Sequence, residues 1–132
     1  MNREFDTIIE RILEKDARYK ADAYEFVMET LSFTQKKFRR LKHVTGEELL
    51  KGIKELLLEK FGPLTLSVLK YWGIKSTEDF GNIVFNLVNN KVLSKTEDDS
   101  VESFKKGFDF RETFDTGYRR QLAKRISRMR SF

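Results

Sequence analysis

The chain has 132 residues, a net charge of +5 from 26 Lys/Arg against 21 Asp/Glu, and no cysteine. Twelve Phe, four Tyr and one Trp supply a core, which excludes disorder throughout. The missing cysteine excludes disulfides, thiolate metal sites and Cys nucleophiles. No apolar run approaches the roughly 20 residues that cross a bilayer, and Met1-Asn2-Arg3-Glu4 starts no signal peptide, so a soluble cytoplasmic protein is expected.

Residues 4–15 predict an amphipathic helix, because Phe5, Ile8, Ile9, Ile12 and Leu13 share one face of a 3.6-residue period. A second helix is expected from about Asp22 to Leu41. Tyr24, Val27, Met28, Leu31 and Phe38 line one side, and Phe26 and Phe33 widen the stripe enough for two neighbours. Thr45-Gly46-Glu47-Glu48 has the form of a capping box, in which the Thr hydroxyl and the third-position Glu satisfy each other's backbone amides. The helix it opens carries Leu49, Leu50, Ile53, Leu56, Leu57 and Phe61. Gly62 suits its end and Pro63 the first position of the next helix, since proline has no amide hydrogen to satisfy there. That helix, Leu64 to Trp72, is apolar on most sides, so burial is expected, with Tyr71 and Trp72 as core residues.

Gly73 ends that helix, and Ser76-Thr77-Glu78-Asp79 signals a new N-terminus with acids in its first turn. Phe80, Ile83, Val84, Leu87 and Val88 form the stripe of a helix ending near Asn89-Asn90. Val92 to Thr96 reads as extended, Glu97-Asp98-Asp99-Ser100 as a turn, and Lys106 to Phe110 as a return strand. From Arg111 onward, Phe114, Tyr118, Leu122, Ile126 and Met129 make a narrow apolar seam on a basic helix.

These elements predict a mainly α fold. A single helical domain spans 1–117, with a winged-helix-like segment at about 45–110 holding a helix-turn-helix and a small β-hairpin wing. A basic C-terminal helix or arm follows at 118–132. The helix-turn-helix is a poor DNA reader. Its second helix presents Glu78 and Asp79 where phosphates would sit and holds no Lys or Arg from Thr77 to Asn90. Asn82, Asn86, Asn89 and Asn90 are the residues there able to hydrogen-bond bases.

The positive charge is concentrated. Arg119, Arg120, Lys124, Arg125, Arg128 and Arg130 stand in the last fifteen residues with no acid, so the first 117 residues sum to −1. A second cluster, Lys36, Lys37, Arg39, Arg40 and Lys42, puts five cations into seven residues. Clusters of this kind raise the local concentration of anionic partners in a salt-dependent way. The chemistry of catalysis is thin. The seven glycines form no phosphate loop. His43 is the single imidazole, between a basic run and a helix cap, and reads as a surface residue. Glu97-Asp98-Asp99 lacks the ligand spacing of a calcium loop. No enzyme, metal or cofactor is expected.

Several segments resemble an uncharacterised small bacterial family known chiefly from planctomycete and verrucomicrobial genomes. They are Tyr24-Glu25-Phe26-Val27, His43 to Leu50, Phe61-Gly62-Pro63-Leu64, Trp72 to Gly81, and Leu93 to Ser100. The resemblance covers about residues 5–114, transfers no catalytic residue, and leaves the arm outside the shared region.

The expected function is a non-enzymatic binding module. It is nucleic-acid or ribosome-associated through clusters 36–42 and 118–130, with RNA or DNA as partner. The alternative is a protein–protein interaction or self-assembly module on a winged-helix-like scaffold, without nucleic acid. In that case the C-terminal helix meets a protein partner or a second copy, and the acidic stretch 97–115 is one candidate for its contact. No membrane partner is expected.

Overall fold

A computed structural model describes residues 3–94, 101–105 and 107–129. Helix α1 (Arg3–Lys15) buries Ile9 and Ile12 and packs Phe5, Ile8 and Leu13 partly against the core. A short loop turns the chain into α2 (Ala21–Lys37), which packs against α1, α3 and α5. Its wide stripe answers to that crowding: Ala23, Tyr24, Phe26 and Val27 are buried, with Thr30 and Thr34 between them. Both threonine hydroxyls donate to the carbonyl four residues back, at 2.8 and 2.7 Å, which satisfies them without solvent.

Helix α2 stops at Lys37, four residues before the expected Leu41. Arg39 takes φ +54° and the Arg40 N–H donates to the Gln35 carbonyl, so the basic run is a helix-closing turn. Leu41, expected in the helix, is fully exposed. Helix α3 (Gly46–Phe61) starts on the predicted capping box. Thr45 Oγ1 accepts the Glu48 N–H and Glu48 Oε1 accepts the Thr45 N–H, each at 3.0 Å. Its inner face brings Gly52 against α2, where a Cβ would lie 1.9 Å from Thr34 Oγ1.

Gly62 and Pro63 form a 3-10 turn (Gly62–Leu64) ahead of α4 (Thr65–Trp72). Trp72 joins Phe26 and Phe61 in an aromatic cluster with centroids 5.2 and 5.7 Å away. The expected burial of α4 on most sides is corrected. Only Thr65, Leu69 and Trp72 are buried, whereas Leu64 and Tyr71 face solvent. Tyr71 carries the Lys20 ammonium 5.5 Å from its ring. Gly73, at φ +85°, closes α4 with its Cα hard against the Arg18 carbonyl. A Cβ there would approach that oxygen to 2.2 Å.

Helix α5 (Thr77–Asn89) follows a short turn, as the helix-turn-helix reading required, but packs most closely on α6 and α2. The predicted wing is absent: no strand occurs among the described residues. After Asn90, Lys91 takes φ +60° and the N–H groups of Val92 and Leu93 both turn back to the Leu87 carbonyl. Those amides close a helix and are lost to a ladder. The return strand expected at Lys106 to Phe110 is not formed among the described residues: α6 (Val101–Lys105) precedes that stretch, 107–109 are irregular and Phe110 is already helical. Phe104 fastens α6 to the core: its Cβ lies 2.9 Å from where a Gly81 Cβ would be, and its ring 3.2 Å from where a Gly46 Cβ would be. The Thr77 hydroxyl donates to the Phe104 carbonyl. Lys95, Thr96, the Glu97-Asp98-Asp99-Ser100 turn and Lys106 lie outside the described residues.

The final helical run begins at Phe110. Phe110 packs between Phe80, edge-on at 6.2 Å, and Phe114, tilted at 5.8 Å, and so fastens the run to the core. One π turn (Glu112–Thr116) leads into α7 (Gly117–Met129).

Candidate binding surface

Helix α7 exists because Tyr118 to Met129 contains only helix-compatible residues, with neither glycine nor proline. Past Tyr118 every residue of it is exposed. Leu122, Ile126 and Met129 keep 40%, 43% and 67% of their surface in solvent, in line on one face. The seam expected at 114–129 therefore divides. Phe114 is buried in the body, Tyr118 is partly covered with its hydroxyl near Gly62, and the three residues beyond them are uncovered.

The cations divide as well. Arg119 pairs with Asp115 at 2.7 Å, and Arg120 approaches Glu112 at 4.0 Å, both acids belonging to the π turn. Lys124, Arg125 and Arg128 meet no carboxylate among the described residues, and Arg130 lies outside them. In the other cluster Lys37 pairs with Glu55, and Arg40 with Glu48 at 3.0 Å. Glu48 also accepts the Thr45 backbone amide, and that bond first, then Arg40, holds its carboxyl below the usual range. Lys36, Arg39 and Lys42 meet no carboxylate among the described residues.

The two clusters are anchored apart. Arg40 is tied to the first turn of α3, whereas Tyr118 sits beside Gly62 past its last turn. Roughly 20 Å of helix separates these points at 1.5 Å per residue.

Of the four asparagines able to hydrogen-bond bases, Asn82, Asn86 and Asn90 are engaged within the fold, whereas Asn89 is exposed. Asn82 Nδ2 donates to the Tyr19 hydroxyl at 3.0 Å. Asn86 Nδ2 donates to the Tyr24 hydroxyl at 2.9 Å and to Asp16 Oδ2 at 3.0 Å. Asn90 Nδ2 donates to the Asn86 carbonyl. The Tyr19 hydroxyl in turn donates to Asp79 Oδ1 at 2.5 Å, while Asp79 Oδ2 accepts the Lys75 and Ser76 amides. Burial, then the bond to Asp79, pushes the Tyr19 phenol up to about 12, and burial raises Tyr24. Arg18 grips Asp16 with two bonds of 2.9 and 2.7 Å and holds its carboxyl well below the ordinary range. This network joins α5 to the α1–α2 loop. The composition reading missed it, although Asp79, Asn82 and Asn86 at i, i+3 and i+7 draw a polar line down one face of α5.

No family model, curated protein or solved structure matches this chain. The function thus rests on the residues themselves. His43, the lone imidazole, is exposed beside the α3 cap. Among the described residues no three His, Asp or Glu side chains converge as a metal site. No described helix is long and apolar enough to cross a membrane.

Proposed function

We propose that the protein is a non-enzymatic binding module whose contact element is α7 and whose partner is an anionic macromolecule. One observation carries this reading: α7 exposes Leu122, Ile126 and Met129 next to Lys124, Arg125 and Arg128, which no described carboxylate neutralises. A contiguous exposed apolar patch rimmed by polar residues is a mark of an interaction site. Retention on a heparin column tests it. The full chain elutes at markedly higher salt than a chain ending at residue 117, and equal elution refutes the assignment.

Nucleic acid is the second reading, supported by Lys36, Arg39 and Lys42, at the end of α2 and in the loop after it, which no described carboxylate neutralises. It predicts that replacing Lys124, Arg125 and Arg128 by Gln lowers the salt slope of binding to a single-stranded RNA by about 2, at roughly 0.7 per phosphate contact.

A further inference from the structure

We infer that α7 docks on a protein partner bearing an apolar stripe flanked by carboxylates, and not on a second copy of this chain. The inference rests on α7 being the contact element and adds the identity of its partner. Leu122, Ile126 and Met129 recur at spacings of four and three, the d-a-d order of a heptad seam, and all three are uncovered. A seam of that order is completed by another apolar stripe. Phosphates alone would leave it in water.

Charge selects the partner. Arg125 stands next to Ile126 at the flank of the seam, without a carboxylate among the described residues. Flanking positions choose partners in helix pairing, opposite charges joining and like charges repelling. Residues 118–132 hold six cations and no acid, so two copies paired in either direction would set cation against cation. The body of a second copy is no better. Its cleft of about 500 Å³ over Leu69, Ile74 and Phe110 is rimmed by Lys70, Lys75 and Arg111 against one acid, Asp109. The cleft over Leu50 and Phe108 is rimmed by Lys51 and Lys54 against Glu47. What fits is an apolar stripe with Glu or Asp beside it.

The test uses the full chain and four defined probes at physiological salt. Two are synthetic heptad peptides with Leu and Ile at the seam positions, one flanked by Glu and one by Lys. The others are poly(U) RNA and phosphatidylcholine vesicles containing phosphatidylglycerol. By fluorescence anisotropy, or by co-sedimentation for the vesicles, the Glu-flanked peptide is expected to bind at least about tenfold tighter than the Lys-flanked one. Leu122→Ser with Ile126→Ser should remove that binding while the circular dichroism of the body stays unchanged. Arg125→Glu should shift preference toward the Lys-flanked peptide. Sedimentation equilibrium of the chain alone should give a monomer. Equal affinity for the two peptides, or a dimer lost in the Leu122/Ile126 variant, overturns the inference. Binding to RNA or vesicles through α7 without peptide discrimination also overturns it, yet leaves α7 as the anionic contact. Loss of all probe binding, or binding indifferent to removal of 118–132, overturns both.

Discussion

Tyr19 and Tyr24 are almost wholly buried, yet each phenol has a partner on α5, and this is what makes their burial tolerable. Tyr19→Phe strands the Asn82 amide and removes one bond from Asp79, so a loss of about 1–2 kcal/mol is expected in urea denaturation. The pH dependence has a definite sign. The folded value of Tyr19 is raised to about 12, so its contribution is complete below the unfolded value of about 10 and drains away as pH climbs toward 12. Tyr19→Phe should therefore flatten that part of the alkaline limb. Asp16 behaves oppositely. Its folded value is depressed, chiefly by Arg18, so its contribution is present above the usual value of about 3.9 and fades as acid protonates the folded state. Asp16→Asn should cost about 1–2 kcal/mol at neutral pH, with the difference from wild type narrowing below about pH 4.

At the scale of elements, the helices were legible where a local rule decides them. The Thr45–Glu48 box and the apolar period of α3 act within a few residues, and α3 begins one residue after Thr45. Thr45→Ala should cost about 1 kcal/mol by leaving the Glu48 amide uncapped. What was illegible depended on distant contacts. Phe104 of Val101–Lys105 packs into the space above Gly81 and Gly46, a contact that no neighbouring residue announces. Val92 has a strand-favouring side chain, yet its amide and that of Leu93 are taken by the Leu87 carbonyl. The cations of α7 were visible as composition, whereas the pairing of Lys37, Arg40 and Arg119 depends on which carboxylates the fold brings beside them. The α2–α3 contact shows the same dependence on distance. Gly52→Ala drives a methyl into Thr34 Oγ1 and should destabilise by about 1–3 kcal/mol. Adding Thr34→Ala removes the clashing oxygen and leaves its Cβ 3.1 Å away, so the double variant should recover part of the loss. Strict additivity in thermal melts would refute this account of the close approach.

Across the molecule, stability and charge belong to different segments. The core ends with Phe110 and Phe114, whose rings meet Phe80 and Phe108, whereas residues 119–129 touch water on every side. Removing 118–132 should thus leave the body folded. The helix lost is one whose exposed apolar seam contributes little burial; among the described residues it takes with it the partly covered Tyr118 beside Gly62 and the solvent-exposed pairs Arg119–Asp115 and Arg120–Glu112. A fall in melting temperature of only a few degrees is expected, since about 1 kcal/mol moves a domain of this size by roughly 4 °C. The charge changes far more. The shortened chain carries −1 in place of +5, so its isoelectric point drops from about 9.4 to below neutrality. Differential scanning calorimetry and isoelectric focusing on the same sample read the two effects separately. A shortened chain that melts without cooperativity would show α7 to be part of the folding unit, because then its seam must be covered by the body rather than offered outward. A cooperative melt near that of the full chain, with the charge inverted, leaves α7 as an appendage. Its apolar row then has no role in holding the fold, and a partner is what remains to cover it.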